Sequence, residues 1–205
     1  MSDNNAADVG VKEHSLPSHM RPDSETADWG PLSSLPGNPM MWILILGELA
    51  VFGALFVGFA VARARAPALF DASQDHLDWL LGGLNTMVLV TSGWLVAIAA
   101  RRRAMDRPHR AAMIGATALG AIFLAIKVVE YADKIRQGFT LESNTFFQLY
   151  YLMTGFHAMH VAAGILILGI VTWWNGQENM ETGAAFWHMV DLIWVLLYPL
   201  VYLLR

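Results

Sequence analysis

Several side chains that could transfer protons or bind metal ions lie in strongly apolar parts of the sequence: Glu48, His157, His160, His188 and Asp191. The i, i+3 spacing of His157 and His160 puts both imidazoles on one helix face, and His188 with Asp191 repeats that spacing. Two histidine-bearing helices could ligate haem or a metal ion, or relay protons together with Glu48. In the structural alternative, the histidines form interhelical hydrogen bonds, Asp191 pairs with an imidazole, and Glu48 is protonated in a polar pocket. Spacing alone favours the structural interpretation.

Two further groups of charges have simpler explanations. Lys127 and Glu130 are also spaced i, i+3, so they can neutralise one another as a local ion pair. The run Arg101, Arg102 and Arg103 directly follows an apolar segment. We interpret this run as a topology anchor, with a binding site for an anionic lipid or a partner protein as the alternative.

The composition indicates which solvent surrounds these groups. Of the 205 residues, 56% are hydrophobic and only 15% are charged, against about 25% charged in an ordinary soluble domain. The chain has no Cys, which excludes disulfides, thiolate-bound iron–sulfur or copper centres and Cys-ligated zinc. A net charge of −4 excludes a strongly basic nucleic-acid binder, and we expect no nucleic-acid partner. The composition predicts a membrane protein.

The apolar residues form five blocks, each near or above the roughly 20 residues that cross the hydrocarbon core as a helix. The blocks are 40–62, 79–100, 111–131, 146–174 and 184–204, separated by short polar connectors. We therefore predict an all-α polytopic membrane protein in which residues 39–205 form a bundle of five transmembrane helices. Residues 1–38 are rich in acidic residues, Pro and Ser, which predicts a disordered cytoplasmic tail without a cleavable signal peptide.

The depths of the ionisable groups suggest that they meet. If the middle of each block lies at the bilayer centre, a rise of about 1.5 Å per residue places His160 near mid-membrane. Glu48 and Asp191 then lie roughly 5 Å to one side of it, on two other helices. Each ionisable group in a span needs a partner or a function. We therefore predict one buried polar cluster made of Glu48, His157, His160, His188 and Asp191.

The orientation follows from the distribution of Lys and Arg near the span ends. The connector between the second and third spans holds five arginines, and Lys12 and Arg21 of the tail lie on the same side. The opposite side holds Arg63, Arg65, Lys134, Arg136 and Arg205. The dense arginine connector predicts a cytoplasmic N-terminus and a periplasmic C-terminus in the bacterial inner membrane.

Four segments together resemble subunit III of the haem–copper oxidases, the cytochrome c oxidase subunit III family. They are GELAVF (47–52), LNTMVLVTSG (84–93), TGFHAMHV (154–161) and WHMVDLIW (187–194). The third span adds Glu130-Tyr131, which is similar to the family's Glu-Tyr pair. The longest members have seven helices, and this chain resembles the last five. Among five-helix members, its amino-acid sequence is more similar to the accessory subunit of nitric oxide reductase than to quinol-oxidase subunits.

The resemblance implies an accessory subunit without a catalytic centre or redox metal of its own. Haem and copper or iron would sit in the partner, the catalytic core subunit of a haem–copper oxidase or nitric oxide reductase. Phospholipid and other membrane lipids are further expected partners. Glu48 would correspond to the family's carboxylate that is linked to proton uptake and to long-term stability of the oxidase. The resemblance thus supports the structural interpretation of the histidines.

Two alternatives from other functional classes stay open at this point. One is a small b-type haem protein that uses His157 or His160 together with His188 as axial ligands. The other is a proton-coupled transporter centred on Glu48 and Asp191. The sequence shows no internal repeat, which disfavours an inverted-repeat transporter.

Overall fold

The computed structural model describes residues 39–174 and 177–204; the predicted disordered tail, 1–38, lies outside the described residues. Within these residues, six α-helices follow one another. They are α1 (Pro39–Arg65), α2 (Pro67–Gln74), α3 (Trp79–Ala104), α4 (Arg110–Arg136), α5 (Thr145–Trp174) and α6 (Gln177–Tyr198), and α6 continues into a π-helical turn, Pro199–Leu203. All of the long helices coincide with the apolar blocks of the sequence.

Within the described part of the chain, five helices are long and apolar enough to cross a membrane. They are α1, α3, α4, α5 and α6 with its π-helical turn. The prediction of an all-α protein with five transmembrane helices is therefore confirmed. A helix satisfies all of its backbone hydrogen bonds internally, which is why an apolar segment of this length becomes helical in lipid.

Helices α3, α4, α5 and α6 form the centre of the bundle. Each of them packs against two of the others, in the order α3, α4, α5, α6 and back to α3. Helix α1 lies outside this group and packs on α5 and α6. Only 17% of the most apolar 18-residue stretch of α1 is buried inside the protein, against 50% of the corresponding stretch of the last span. Helix α1 therefore presents most of its surface to its surroundings.

The connectors are more structured than their polar composition suggests. The segment from Pro67 to Asp78 contains the short helix α2, which begins with Pro67 at a position where no backbone N–H is needed. The Asp78 side chain accepts hydrogen bonds from Leu80 N and Leu81 N, both at 3.0 Å, and so caps α3. The connector predicted before 184 is largely helical, because α6 begins at Gln177. Met180 is buried there, so the added turns pack against the protein.

The last turn of the chain departs from α-helical geometry at Pro199. Proline has no backbone N–H and its ring crowds the preceding turn, so the α-helical hydrogen-bond pattern is interrupted. Leu204 N instead donates to Pro199 O at 2.9 Å, a bond across five residues. The Gln74 side chain of α2 donates to Val201 O at 2.8 Å, and Arg63 of α1 donates to Leu204 O. The end of the chain is therefore held by the first two helices.

Candidate functional site: buried polar pairs in the bundle

Glu48 of α1 and His160 of α5 face one another. Glu48 Oε2 lies 3.1 Å from His160 Nε2, and the His160 residue is only 7% exposed. His160 Nδ1 lies 2.8 Å from the Phe156 carbonyl oxygen, one helical turn earlier. A carbonyl oxygen can only accept, so Nδ1 carries a proton and donates it. In the neutral imidazole Nε2 then has no proton and can only accept, and this nitrogen is the one that faces Glu48 Oε2.

His157 lies one turn before His160 and is fully buried. Its imidazole packs against the rings of Phe123 and Trp194, with ring centroids 5.7 and 5.0 Å away. The ring of Phe52 of α1 also packs against it, with the ring centroids 6.4 Å apart. In the described part of the chain neither of its ring nitrogens has a hydrogen-bond partner. A haem bound through His157 would have to displace this aromatic packing.

His188 and Asp191 form a second pair on α6. His188 Nδ1 lies 3.9 Å from Asp191 Oδ2, and the His188 side chain is 46% exposed. The Asp191 carboxylate rests on α3 at Gly93, where an added Cβ would overlap with Oδ2. Among the described residues, no hydrogen bond or ion pair joins Asp191 or His188 to Glu48 or His160. The five residues placed in one cluster by sequence analysis are thus two separate pairs and the enclosed ring of His157.

Lys127 and Glu130 of α4 lie at the centre of a larger network. Lys127 Nζ is 2.9 Å from Glu130 Oε2, and both side chains are only 2% exposed. The ammonium also donates to the hydroxyls of Tyr150, at 3.2 Å, and Tyr202, at 3.0 Å. Both tyrosines donate to Glu130 Oε1, at 2.8 and 2.5 Å respectively. The three protons of the ammonium and both carboxylate oxygens are therefore satisfied, as a buried ion pair requires.

Sequence analysis did not include the two tyrosines in this site. Tyr150 lies near the start of α5, Tyr202 is in the π-helical turn, and Glu130 is near the end of α4. Helix α5 begins on the side of the bundle where α4 ends, and α6 runs back to that side. These three helix ends therefore lie on the same side of the bundle. The signal was therefore present in the sequence: hydroxyl-bearing aromatic residues at the depth of a buried ion pair. The network ties α4 and α5 to the end of the chain.

The run Arg101, Arg102 and Arg103 forms the last turn of α3. Arg101 and Arg102 are exposed, and Arg103 is partly buried with its Nη1 3.3 Å from Asp106 Oδ1. The arginines thus lie at the end of a span. In the described part of the chain, no group of three or more His, Asp or Glu side chains is arranged to hold a metal ion.

Comparison with known proteins relates this arrangement to one family. The family described as "Cytochrome c oxidase subunit III" matches residues 39–205, which is every predicted span. A cytochrome c oxidase subunit 3 of Synechocystis is 32% identical over 173 residues, covering 79% of this chain and 73% of that protein. A cytochrome c oxidase subunit 3 of Bacillus subtilis is 26% identical over 174 residues, covering 80% and 84%.

A third relative is a longer protein. The haem–copper oxidase subunit I+III of Aeropyrum pernix is 28% identical over 180 residues, which is 80% of this chain and 22% of that protein. The match with the family covers the helices that hold the Glu48–His160 pair, the His188–Asp191 pair and the Lys127 network. The chain belongs to the cytochrome c oxidase subunit III family.

Proposed function

We propose that this chain is the accessory subunit III of a haem–copper oxidase complex in a bacterial plasma membrane. It packs against the catalytic core subunit, stabilises it, and influences proton or lipid access, while haem and copper or iron are held by the core. The observation that carries the proposal is the family match across the whole membrane domain, 39–205. The Aeropyrum relative supports the partner, because its name joins subunits I and III in one protein.

The chemistry of the buried groups supports a structural role. The Lys127 network is satisfied within itself, and the Glu48 carboxyl faces a single imidazole. Such paired groups stabilise the packing of one helix against another. The lightly buried helix α1 offers apolar surface that is available for a neighbouring subunit or for lipid.

A nitric oxide reductase core is the alternative partner. This alternative is based on the five-helix form and on the sequence of segments such as Tyr198-Pro199. The relatives reported above carry oxidase names, which favours an oxygen-reducing partner. Identification of the core subunit would distinguish an oxidase partner from a nitric oxide reductase partner.

The test is to purify the tagged chain from its native membrane in mild detergent and to identify each co-purifying polypeptide by mass spectrometry. Membranes that contain the untagged chain are the control for adventitious binding. We expect a large polytopic subunit with a haem spectrum, whose metal content distinguishes an oxidase from a nitric oxide reductase. Recovery of the chain alone, stable and monodisperse, would contradict the proposal.

The isolated chain then discriminates between the remaining functional classes. A Soret band that disappears on His160→Ala would indicate a haem protein. Substrate-dependent proton flux in liposomes that contain only this chain would indicate a transporter. The stabilising role is tested separately, by following the turnover of the core enzyme over time with and without the chain added back. We expect faster loss of turnover without it.

A further inference from the structure

The connector between α3 and α4 carries a concentration of positive charge. We call residues 101–110 the arginine loop; they contain five arginines and one acidic residue, Asp106. Asp106 lies 3.3 Å from Arg103. The other four arginines, Arg101, Arg102, Arg107 and Arg110, are exposed. In the described part of the chain none of these four lies within ion-pair distance of a carboxylate.

The position of the arginine loop places these guanidinium groups at the level of lipid headgroups. One span ends at Ala104 and the next begins at Arg110, so only five residues separate two helices that cross the membrane. Two apolar side chains beside the arginines are exposed: Met105 is 51% exposed and Ile114, one turn into α4, is 62% exposed. Exposed apolar side chains next to arginines are typical of a surface that faces the boundary between headgroups and acyl chains.

The start of α4 adds a second attraction for an anion. The residue before α4, His109, provides no side-chain cap, and the first turn contains no acidic residue. The first backbone N–H groups of this 27-residue helix therefore have no side-chain acceptor, and they carry the positive end of the helix dipole. The buried Nε2 of His109 also has no hydrogen-bond partner among the described residues. A phosphate group at this point would meet both the helix start and the arginines.

We propose that the arginine loop is a binding site for the headgroup of an anionic phospholipid. Arg101, Arg102, Arg107 and Arg110 supply the guanidinium groups for this headgroup, since one such group binds two phosphate oxygens through parallel N–H bonds. Met105 and Ile114 lie against the glycerol backbone and upper acyl chains. The exposed apolar residues favour lipid over an acidic protein segment as the occupant. This proposal does not depend on which core subunit the chain joins.

The opposite end of the bundle provides a matched control. Arg65 and Arg136 are also exposed and also lie in the last turns of spans. The acidic residues Asp71, Asp75 and Asp133 accompany them at that end, so the local charge is mixed. Arg65→Gln/Arg136→Gln therefore removes the same number of exposed arginines as Arg101→Gln/Arg102→Gln without touching the arginine loop.

The experiment compares the full chain and both double variants in neutral detergent, with phosphatidylglycerol or phosphatidylcholine added in steps. Native mass spectrometry counts bound lipid, and the melting temperature reports stabilisation. We expect phosphatidylglycerol to bind the wild type and the Arg65/Arg136 variant alike. Since each basic residue near anionic lipid contributes about a fivefold factor, we expect roughly 30-fold weaker binding to the Arg101/Arg102 variant. Equal melting temperatures of all three proteins in phosphatidylcholine would show that the variants are folded.

Three results would overturn the proposal. One is equal affinity of the wild type and the Arg101/Arg102 variant for phosphatidylglycerol, which would leave the arginines as a topology anchor. The second is an equal rise in melting temperature with inorganic phosphate, which would indicate a site for a free anion. The third is no preference of the wild type for phosphatidylglycerol, combined with loss of a co-purifying polypeptide from the variant in native membranes. That result would assign the loop to a protein partner.

Discussion

Gly164 of α5 supports the indole ring of Trp187 of α6 so closely that a Cβ at position 164 would lie 2.7 Å from Trp187 Cε3. On the other edge of the ring, a Cβ at Gly120 of α4 would lie 2.7 Å from Cη2. Trp187 is fully buried between these two glycines. This large side chain therefore fits only because two neighbouring helices have no side chain at the point of contact.

Gly164→Ala should lower the free energy of unfolding by about 1–3 kcal/mol, because a rigid, enclosed ring cannot move away from the added methyl group. Gly169→Ala on the same helix is the control, since nothing lies within 4 Å of a Cβ there. The control should be neutral, or more stable by up to about 1 kcal/mol through helix propensity. Unfolding of both variants in detergent, followed by circular dichroism, measures the difference. Equal stability would show that α5 and α6 are less tightly packed than described.

The Glu48–His160 pair predicts a difference between two substitutions at position 48. Because His160 Nδ1 donates to Phe156 O, Nε2 of the neutral imidazole is an acceptor, and the amide of a Gln at position 48 can donate to it. Glu48→Gln should therefore keep most of the stability, whereas Glu48→Ala leaves Nε2 without a partner and should cost about 1–3 kcal/mol. Melting temperatures in detergent test this order. Glu142→Ala, at an exposed connector position, is the control. An equal loss for Gln and Ala would count against a hydrogen bond between position 48 and His160 Nε2.

The Lys127 network predicts strong coupling between its two charges. Lys127→Met leaves the buried Glu130 carboxylate without its counter-ion and should lower the free energy of unfolding by about 3–5 kcal/mol. The double variant Lys127→Met/Glu130→Gln should be more stable than Lys127→Met alone, because no buried charge is left unpaired. Unfolding titrations of the single and double variants give the coupling energy.

The control for this cycle is an exposed i, i+3 pair, Arg103 and Asp106. The Asp106 side chain is 96% exposed, so Asp106→Asn should leave the unfolding transition unchanged within error. Additive effects of the Lys127 and Glu130 substitutions would mean that the two groups do not act as one unit.

The arginine distribution predicts that the arginine loop faces the cytoplasm and that the connector between α4 and α5 faces the periplasm. The chain contains no Cys, so single cysteines can be introduced without removing others. In intact cells, a membrane-impermeant maleimide should label Gln137→Cys and should leave Arg107→Cys unlabelled until the membrane is opened. Both positions are exposed, so accessibility in the folded protein is matched. The reverse labelling pattern would invert the orientation.

Sequence reasoning succeeded where one physical requirement dominates. Twenty apolar residues in lipid must be helical, so the five spans were visible in composition alone. The helix α2 was not, because eight residues of mixed polarity carry no hydropathy signal. The π-helical turn depends on where Pro199 falls relative to the helix end. Such local details depend on whether individual residues have a backbone N–H to donate. The mean hydropathy of a 20-residue segment contains no information about single N–H groups.

The candidate site illustrates a different limit. Spacing within one helix identified Lys127 with Glu130 and His188 with Asp191 as neighbours, since i, i+3 residues share a face. Spacing does not give the rotation of one helix about its axis relative to another. Asp191 and Glu48 have similar estimated depths, yet Asp191 contacts Gly93 of α3, whereas Glu48 of α1 contacts His160 of α5. Depth is a property of one helix, whereas contact is a property of two.

The placement of α1 has a consequence for how the chain is made. Helix α1 is the first described span to leave the ribosome, yet it packs on α5 and α6, the last two. More than a hundred residues separate Glu48 from His160, so at about 5–20 residues per second Glu48 enters the bilayer on the order of ten seconds before its partner exists. The contact between Glu48 and His160 can therefore form only after α5 has been synthesised.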